Sequence, residues 1–330
     1  MNLNLSNIGI VKHADIKVDG LTVIAGENDS GKSTVGKVLY ALVKSTSKSH
    51  FLSNNLDVTE QYIKPFNEYI GSLFKNQISR QGDIEFNYNN VKFDIKIEND
   101  RCADFTYSDD FISNDLTYYG PILIETPYIW SILTSLNTIR NLEAHDTQID
   151  FELSPTLKDL YTYLMTKLKF NDDKIKLNID SIINGKFEKD TLSNFVFKKD
   201  NKNIELQNTA MGIKYFGLLQ VLSDNNYFFK NQILILDEPE VHLHPKWQLR
   251  LAELIVQLVK NGVKIVVNSH SPYMIEALQR YSQKEQIANH FYLADDGMIV
   301  EDADSLSKIF AKLSEPFDEF DKLDSEILHG

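Results

Sequence analysis

The chain has 330 residues, 42% hydrophobic and 25% charged, with a formal net charge of −13; the balance is that of a globular domain, and its acidity argues against general coating of nucleic-acid phosphates, which requires Lys and Arg. No apolar run is long enough for a bilayer, and the opening residues lack a secretory pattern. Cys102 is the sole cysteine, which excludes an intrachain disulfide and leads us to expect a cytoplasmic location and no membrane.

In chain order, Asn2–Ile10 and His13–Val18 alternate apolar and polar residues and predict strands. Leu21–Ala25 predicts a short buried strand after a turn at Gly20. Val35, Val38, Leu39 and Leu42 share one helical face from Ser33 onward. Residues 45–80 read as helix and loop. Ile84–Ile97 alternates again, with a hairpin turn at Asn89-Asn90, and Leu116–Ile124 predicts a further strand. Ser131–Phe170 is expected to be helical, with Ser154-Pro155 as a start signal. Lysines outnumber acids between Lys167 and Lys202, which reads best as a solvated face and leaves nucleic acid possible but unsupported by the net charge.

Later elements alternate in type. Gly212–Leu222 predicts a helix and Gln232–Leu236 a buried strand. Pro245–Lys260 predicts an amphipathic helix stopped at Asn261-Gly262. Val263–Val267 predicts a strand, Pro272–Arg280 a helix, and His290–Val300 a hairpin about Asp295-Asp296-Gly297. The acidic tail, 301–330, predicts short helices. The whole is expected to be one α/β domain with a helical insertion lobe near 45–205.

Two segments carry chemistry. Gly26-Glu27-Asn28-Asp29-Ser30-Gly31-Lys32-Ser33 fits the phosphate-loop pattern G-x-x-x-x-G-K-[ST], and Thr34 follows it. Its glycines let consecutive N–H groups face phosphate oxygens. Lys32 supplies a charge for the terminal phosphates, and the Ser33 hydroxyl is a hard oxygen suited to Mg²⁺. The helix that follows adds its positive N-terminal end. The second segment, Ile233–Leu236 followed by Asp237 and Glu238, is an apolar strand delivering adjacent carboxylates. Asp237 suits the metal and Glu238 suits the orientation and deprotonation of an attacking water. ATP with Mg²⁺ is therefore the expected substrate and cofactor, and hydrolysis the expected activity.

The run Asp237-Glu238-Pro239-Glu240-Val241-His242-Leu243-His244-Pro245, followed by Asn268-Ser269-His270-Ser271-Pro272, resembles the ABC-class ATPases of the OLD, RecF and SMC-like branch, the soluble DNA-metabolism and phage-defence relatives of transporter motors. The resemblance implies a P-loop fold of ABC type, with a mixed central sheet and an N-terminal antiparallel β-layer. It further implies a switch role for His270 at the γ-phosphate, and a homodimer or higher homo-oligomer closing on ATP. His242 and His244 then read as a dimer-contact loop rather than a metal pair.

The pattern also departs from that group. The signature segment that completes the opposite subunit's site is best matched by Asn208-Thr209-Ala210-Met211-Gly212-Ile213-Lys214. Ala210 stands where a hydroxyl is expected, with Asn208 or Thr209 as substitute donors and Lys214 as an added charge. No glutamine follows Leu116–Ile124; Glu125, Gln77 and Gln81 are the alternatives. Long heptad arms are absent, and the span after His270 is too short for a metal-nuclease domain, so a nuclease or toxin effector is expected to be a separate protein. The resulting expectation is an ATPase that controls such an effector or a nucleic-acid transaction, in anti-phage defence. Two alternatives are the motor subunit of a membrane transporter and an ATP-sensing scaffold with little hydrolysis.

Overall fold

The computed structural model describes residues 1–49, 58–88, 91–108, 120–125, 128–131, 133, 153–169, 173–190, 194–301 and 304–329. Alternation of apolar and polar residues sets the first layer. Strands β1 (Asn2–Ile8) and β2 (Val11–Lys17) form an antiparallel pair, and β4 (Gln81–Tyr88), β5 (Val91–Glu98) and β6 (Arg101–Tyr107) extend it beyond β1. In β5 every second residue is buried, as expected for a sheet covered on one face.

The other half of the sheet is parallel. Strand β3 (Leu21–Ala25) is buried at all five residues, the mark of a strand covered on both faces. It pairs in parallel with β12 (Lys264–Ser269) and β13 (Asn289–Asp295). Strand β12 pairs with β11 (Ile233–Asp237), and β11 with β7 (Ile122–Ile124). With β14 (Met298–Val300) joining the halves, the order is β6-β5-β4-β1-β2-β14-β13-β3-β12-β11-β7. The mixed sheet and N-terminal antiparallel layer expected from sequence are therefore present.

Side-chain alternation divides the core in two. Ile24, Ile235 and Val266 face helices α1 (Lys32–Ser49) and α2 (Val58–Phe74). Val23, Leu234, Leu236 and Val267 join the opposite core, which holds α5 (Met211–Asp224), α6 (Pro245–Lys260) and α7 (Pro272–Lys284). The remaining helices are α3 (Pro155–Met165), short α4 (Asp180–Ile183) and α8 (Ser305–His329). Ser154 caps α3 by accepting a hydrogen bond from the Leu157 N–H at 3.3 Å, with Pro155 at its first position.

Some expectations change. Strand β6 and a separate three-stranded sheet, β8 (Lys186–Lys189), β9 (Phe195–Lys199) and β10 (Lys202–Glu205), were not anticipated within the 45–205 lobe. Strands β8 to β10 are short and rich in lysine, so their pattern is weak. What anchors them is packing: the Phe187 and Phe195 rings each lie 5.2 Å from Trp130. The acidic tail is one helix of 25 residues rather than several short ones. Residues 134–152 of the expected Ser131–Phe170 helix, 116–119 of the expected strand, and the turn at Asn89-Asn90 lie outside the described residues. Among the described residues, no helix is long and apolar enough to cross a membrane.

Candidate functional site

Parallel pairing brings three strand ends together. Ala25 pairs with Ser269 and Asn268 with Asp237, so β3, β12 and β11 finish side by side. Such carboxyl ends are where open α/β sheets hold ligands. The loop leaving β3 turns through left-handed residues at Asp29 (φ 61°) and Gly31 (φ 97°) before α1 begins at Lys32. Gly26 is required for a different reason. A Cβ there would lie 2.1 Å from the carbonyl oxygen of Ala294 on β13.

Within this loop Glu27, Asn28 and Asp29 are exposed, while Gly26, Ser30 and Gly31 are buried. The Ser30 hydroxyl donates to the Glu27 carbonyl at 2.8 Å. Lys32 is buried, and its ammonium donates to the carbonyls of Gly26, at 2.9 Å, and Glu27. Burial pushes its pKa below the usual lysine value, opposed by the nearby Glu238 and Asp237 carboxylates. The Thr34 side chain lies against Gly9, between β1 and β2.

Ser33, one residue on, joins the two halves of the chain. Its hydroxyl donates to Asp237 Oδ1 at 3.0 Å across 204 positions of sequence. Asn268 Nδ2 donates to the same oxygen at 2.7 Å. Gly36 permits this approach, because a Cβ there would sit 3.1 Å from Ile235 Cγ2 and 3.3 Å from Asn268 Nδ2. Burial raises the Asp237 pKa above the ordinary value. The bonds from Asn268 and Ser33 oppose that rise, and the charges of Glu125 and Glu238 add to it. Two hard oxygens, Ser33 Oγ and Asp237 Oδ1, thus converge beside the phosphate loop. A magnesium ion bound chiefly through nucleotide phosphates and water needs only one or two such protein ligands. The absence, among the described residues, of any group of three metal-binding His, Cys, Asp or Glu side chains is compatible with that mode.

Glu238 adopts a left-handed backbone (φ 49°), and its N–H donates to the Asn268 carbonyl at 2.9 Å. This kink carries its side chain out of the sheet, half-exposed, with Oε1 3.4 Å from His270 Nδ1. His270 follows β12 as the sequence implied, and its Nδ1 also lies 3.6 Å from Glu240 Oε1.

Sequence reasoning assigned no role to Glu240 or Asn268. Glu240 is buried, and its Oε1 accepts hydrogen bonds from Ser269 Oγ (2.7 Å), the His270 N–H (2.8 Å) and the Ser271 N–H (3.1 Å). It therefore fixes the turn that presents His270. A third carboxylate within four residues of an apolar strand was the available signal, although the partners it serves lie some 30 positions away.

The remaining expected residues fall as follows. Ala210 is the N-cap position of α5 and makes no side-chain capping bond. Asn208 is exposed in a short 3-10 turn rather than capping the helix. The Thr209 hydroxyl is occupied, donating to the Glu205 carbonyl at 3.0 Å. Gly212 packs against Leu243 and His242 of the same chain. Lys214 is buried rather than presented as an exposed charge, because α5 enters the core within its first turn; its carbonyl accepts from Trp130 Nε1 at 2.7 Å. Of the glutamine alternatives, Glu125 follows β7 beside β11 and its Oε1 lies 3.6 Å from Lys37 Nζ. Gln77 and Gln81 lie at the antiparallel half, away from the strand ends. His244 Nδ1 accepts from the Lys246 N–H at 3.3 Å and caps α6.

Residues 121–275 match the family model of an AAA ATPase domain. That span includes Asp237, Glu238 and His270, and the phosphate loop lies before it. The chain is 23% identical over 302 residues to the Septu protein PtuA of Bacillus thuringiensis, covering 83% of this chain and 72% of that protein. In fold it is similar to an SMC head solved with the C-terminal winged-helix domain of ScpA: TM-score 0.53, 15% identity, 93% of this chain and 98% of that one.

Proposed function

We propose that the chain, which matches an AAA ATPase domain over residues 121–275 and shares the fold of an SMC head, is an ABC-like ATPase that binds Mg-ATP at the loop 26–34 and hydrolyses it at Glu238. The observation that carries the reading is the Ser33–Asp237 hydrogen bond of 3.0 Å, reinforced by Asn268. It joins a phosphate-binding loop to a metal-binding carboxylate.

In this reading the backbone N–H groups of 26–33 and the Lys32 ammonium bind the phosphates. Thr34 completes the nucleotide contacts at the head of α1. Ser33 and Asp237 hold the magnesium, which neutralises charge on the phosphates when bound. Glu238 orients and deprotonates the attacking water, and His270 faces the terminal phosphate. The open α5 N-terminus at Ala210–Gly212, with Asn208 beside it, is offered to the nucleotide of a second copy. Lys214 acts there only through packing. His242 and His244 form part of that dimer contact, and a cytoplasmic homodimer or higher oligomer follows.

The likeness to Septu PtuA supports a role in anti-phage defence, with ATP-driven assembly controlling a separate nuclease or toxin effector. The test compares ATP hydrolysis and oligomeric mass for the wild type and Glu238→Gln. The expected result is turnover in the wild type only, with a nucleotide-dependent rise in mass trapped by the variant. Equal, negligible turnover would favour the ATP-sensing scaffold, a reading to which the uncapped Ala210 position lends weight.

A further inference from the structure

Around Glu240 the burial of polar atoms is unusually uncompensated. Its Oε1 accepts three hydrogen bonds, yet its Oε2, also buried, has no partner among the described residues. The Tyr215 hydroxyl is in the same condition: fully buried on α5, without a hydrogen-bond partner among the described residues. The two are electrostatic neighbours. Burial raises the Tyr215 hydroxyl well above the ordinary phenol value, and the Glu240 and Asp237 charges push it the same way. A buried donor and a buried acceptor, each without a hydrogen bond among the described residues, thus lie on two elements that pack together, α5 and the turn after β11, where Gly212 meets Leu243. Leaving such groups unpaired is costly, and their persistence at one place calls for an explanation.

The surrounding contacts supply one. Helix α5 begins at the signature segment, and Gly212 packs on Leu243 in the same turn that carries Glu238 and Glu240. Glu240 in turn holds the backbone of His270 and Ser271. The Ser271 hydroxyl donates to Gln248 at 2.6 Å and Gln248 Nε2 donates to the Leu243 carbonyl at 3.0 Å, which closes the turn into one hydrogen-bonded unit. A shift of α5 therefore bears directly on the unit that positions His270.

We propose that Tyr215 and Glu240 are positioning residues that couple helix α5 to the His270 turn: the Tyr215 hydroxyl donates to Glu240 Oε2 in the hydrolysis-competent arrangement and releases it otherwise. The coupling rests on the ATPase reading above and specifies how engagement at the signature segment reaches the hydrolytic residues. Neither residue touches the nucleotide. Tyr215 acts through Glu240, and Glu240 acts through the backbone of His270.

The test is a double-mutant cycle on the full-length chain with Tyr215→Phe, Glu240→Gln and both, measuring kcat, KM for Mg-ATP and melting temperature. Tyr215→Phe is expected to lower kcat about tenfold, the scale of one hydrogen bond to a charged group. KM should stay within about twofold, and the melting temperature should hold or rise because an unpaired buried hydroxyl is removed. A merely structural tyrosine would not separate kcat from stability in this way. The double variant is expected to be no slower than Glu240→Gln alone. Multiplicative losses, or a Tyr215→Phe protein with wild-type kcat, would overturn the coupling while an active wild type and a dead Glu238→Gln left the ATPase reading standing. A wild type no faster than Glu238→Gln would overturn both.

Discussion

The two halves of the large sheet treat polar and apolar groups in opposite ways. In the antiparallel half, one face is covered by stacked aromatics: Tyr62 lies 4.8 Å from Phe105 and 5.3 Å from Phe93, and Phe93 lies 5.9 Å from Phe86. In the parallel half, the strand ends carry Asp237, Glu238 and His270, and the turn just after them carries Glu240. Among the described residues, four buried side-chain atoms around that end lack a hydrogen-bond partner, on Tyr215, Glu240, Asn268 and His270, against two in the antiparallel half, on Asn4 and Asp94, of which Asp94 Oδ1 keeps an ion pair with Lys92 at 2.9 Å. One half is arranged for stability. The other keeps unsatisfied polar groups and left-handed backbone, costs that persist where they serve binding or catalysis.

The largest expected effect lies at the polar end. Glu238→Gln should lower ATP turnover by about 10²–10⁴, the range for loss of a general base. Its melting temperature should stay near the wild type, because the side chain is half-exposed and its backbone bond to Asn268 is untouched. Phe93→Ala should do the reverse. Deleting this fully buried ring should cost about 3–5 kcal/mol in urea unfolding, while turnover per folded molecule is preserved. If Phe93→Ala abolished turnover in the folded fraction, the division of labour between the halves would be wrong.

Two smaller changes sharpen the comparison. Gly36→Ala presses a methyl on Ile235 and Asn268 where helix α1 meets the parallel strands. It should cost about 1–3 kcal/mol of stability and weaken magnesium-dependent nucleotide binding, since Asn268 holds Asp237. Asp237→Asn should leave the nucleotide-free protein as stable or slightly more stable at neutral pH. The sign follows from the raised folded pKa of Asp237. Ionisation is harder in the folded chain than in the unfolded one, so the carboxylate opposes folding above its folded pKa, and this penalty fades as pH falls toward the ordinary carboxylate value. A melting profile for Asp237→Asn that fell below the wild type across neutral pH would contradict that assignment.

The sequence made the two chemical segments readable because each packs its chemistry into contiguous residues. Gly26–Ser33 and Asp237–Glu238 need little context, and the flanking strand and helix were present as expected. What escaped depends on distance. Glu240 acts on a turn some 30 positions away, and Asn268 matters only because parallel pairing sets it opposite Asp237. Glu125 could be placed only once β7 was seen beside β11. Strands β8–β10 escaped because a few phenylalanines packed on Trp130, rather than a regular alternation, hold them. Lys214 read as an added charge for the signature segment, and only the packing of α5 shows it buried.

Calorimetric titration of ATP into the full-length protein, with Mg²⁺ and with chelator, addresses the convergence of Lys32, Ser33 and Asp237 most directly. The expected result is saturable binding that tightens with Mg²⁺ in the wild type and loses its magnesium dependence in Asp237→Asn. Absence of magnesium-dependent uptake by the wild type, or an unchanged magnesium effect in the variant, would contradict the assignment of this strand-end site to Mg-ATP.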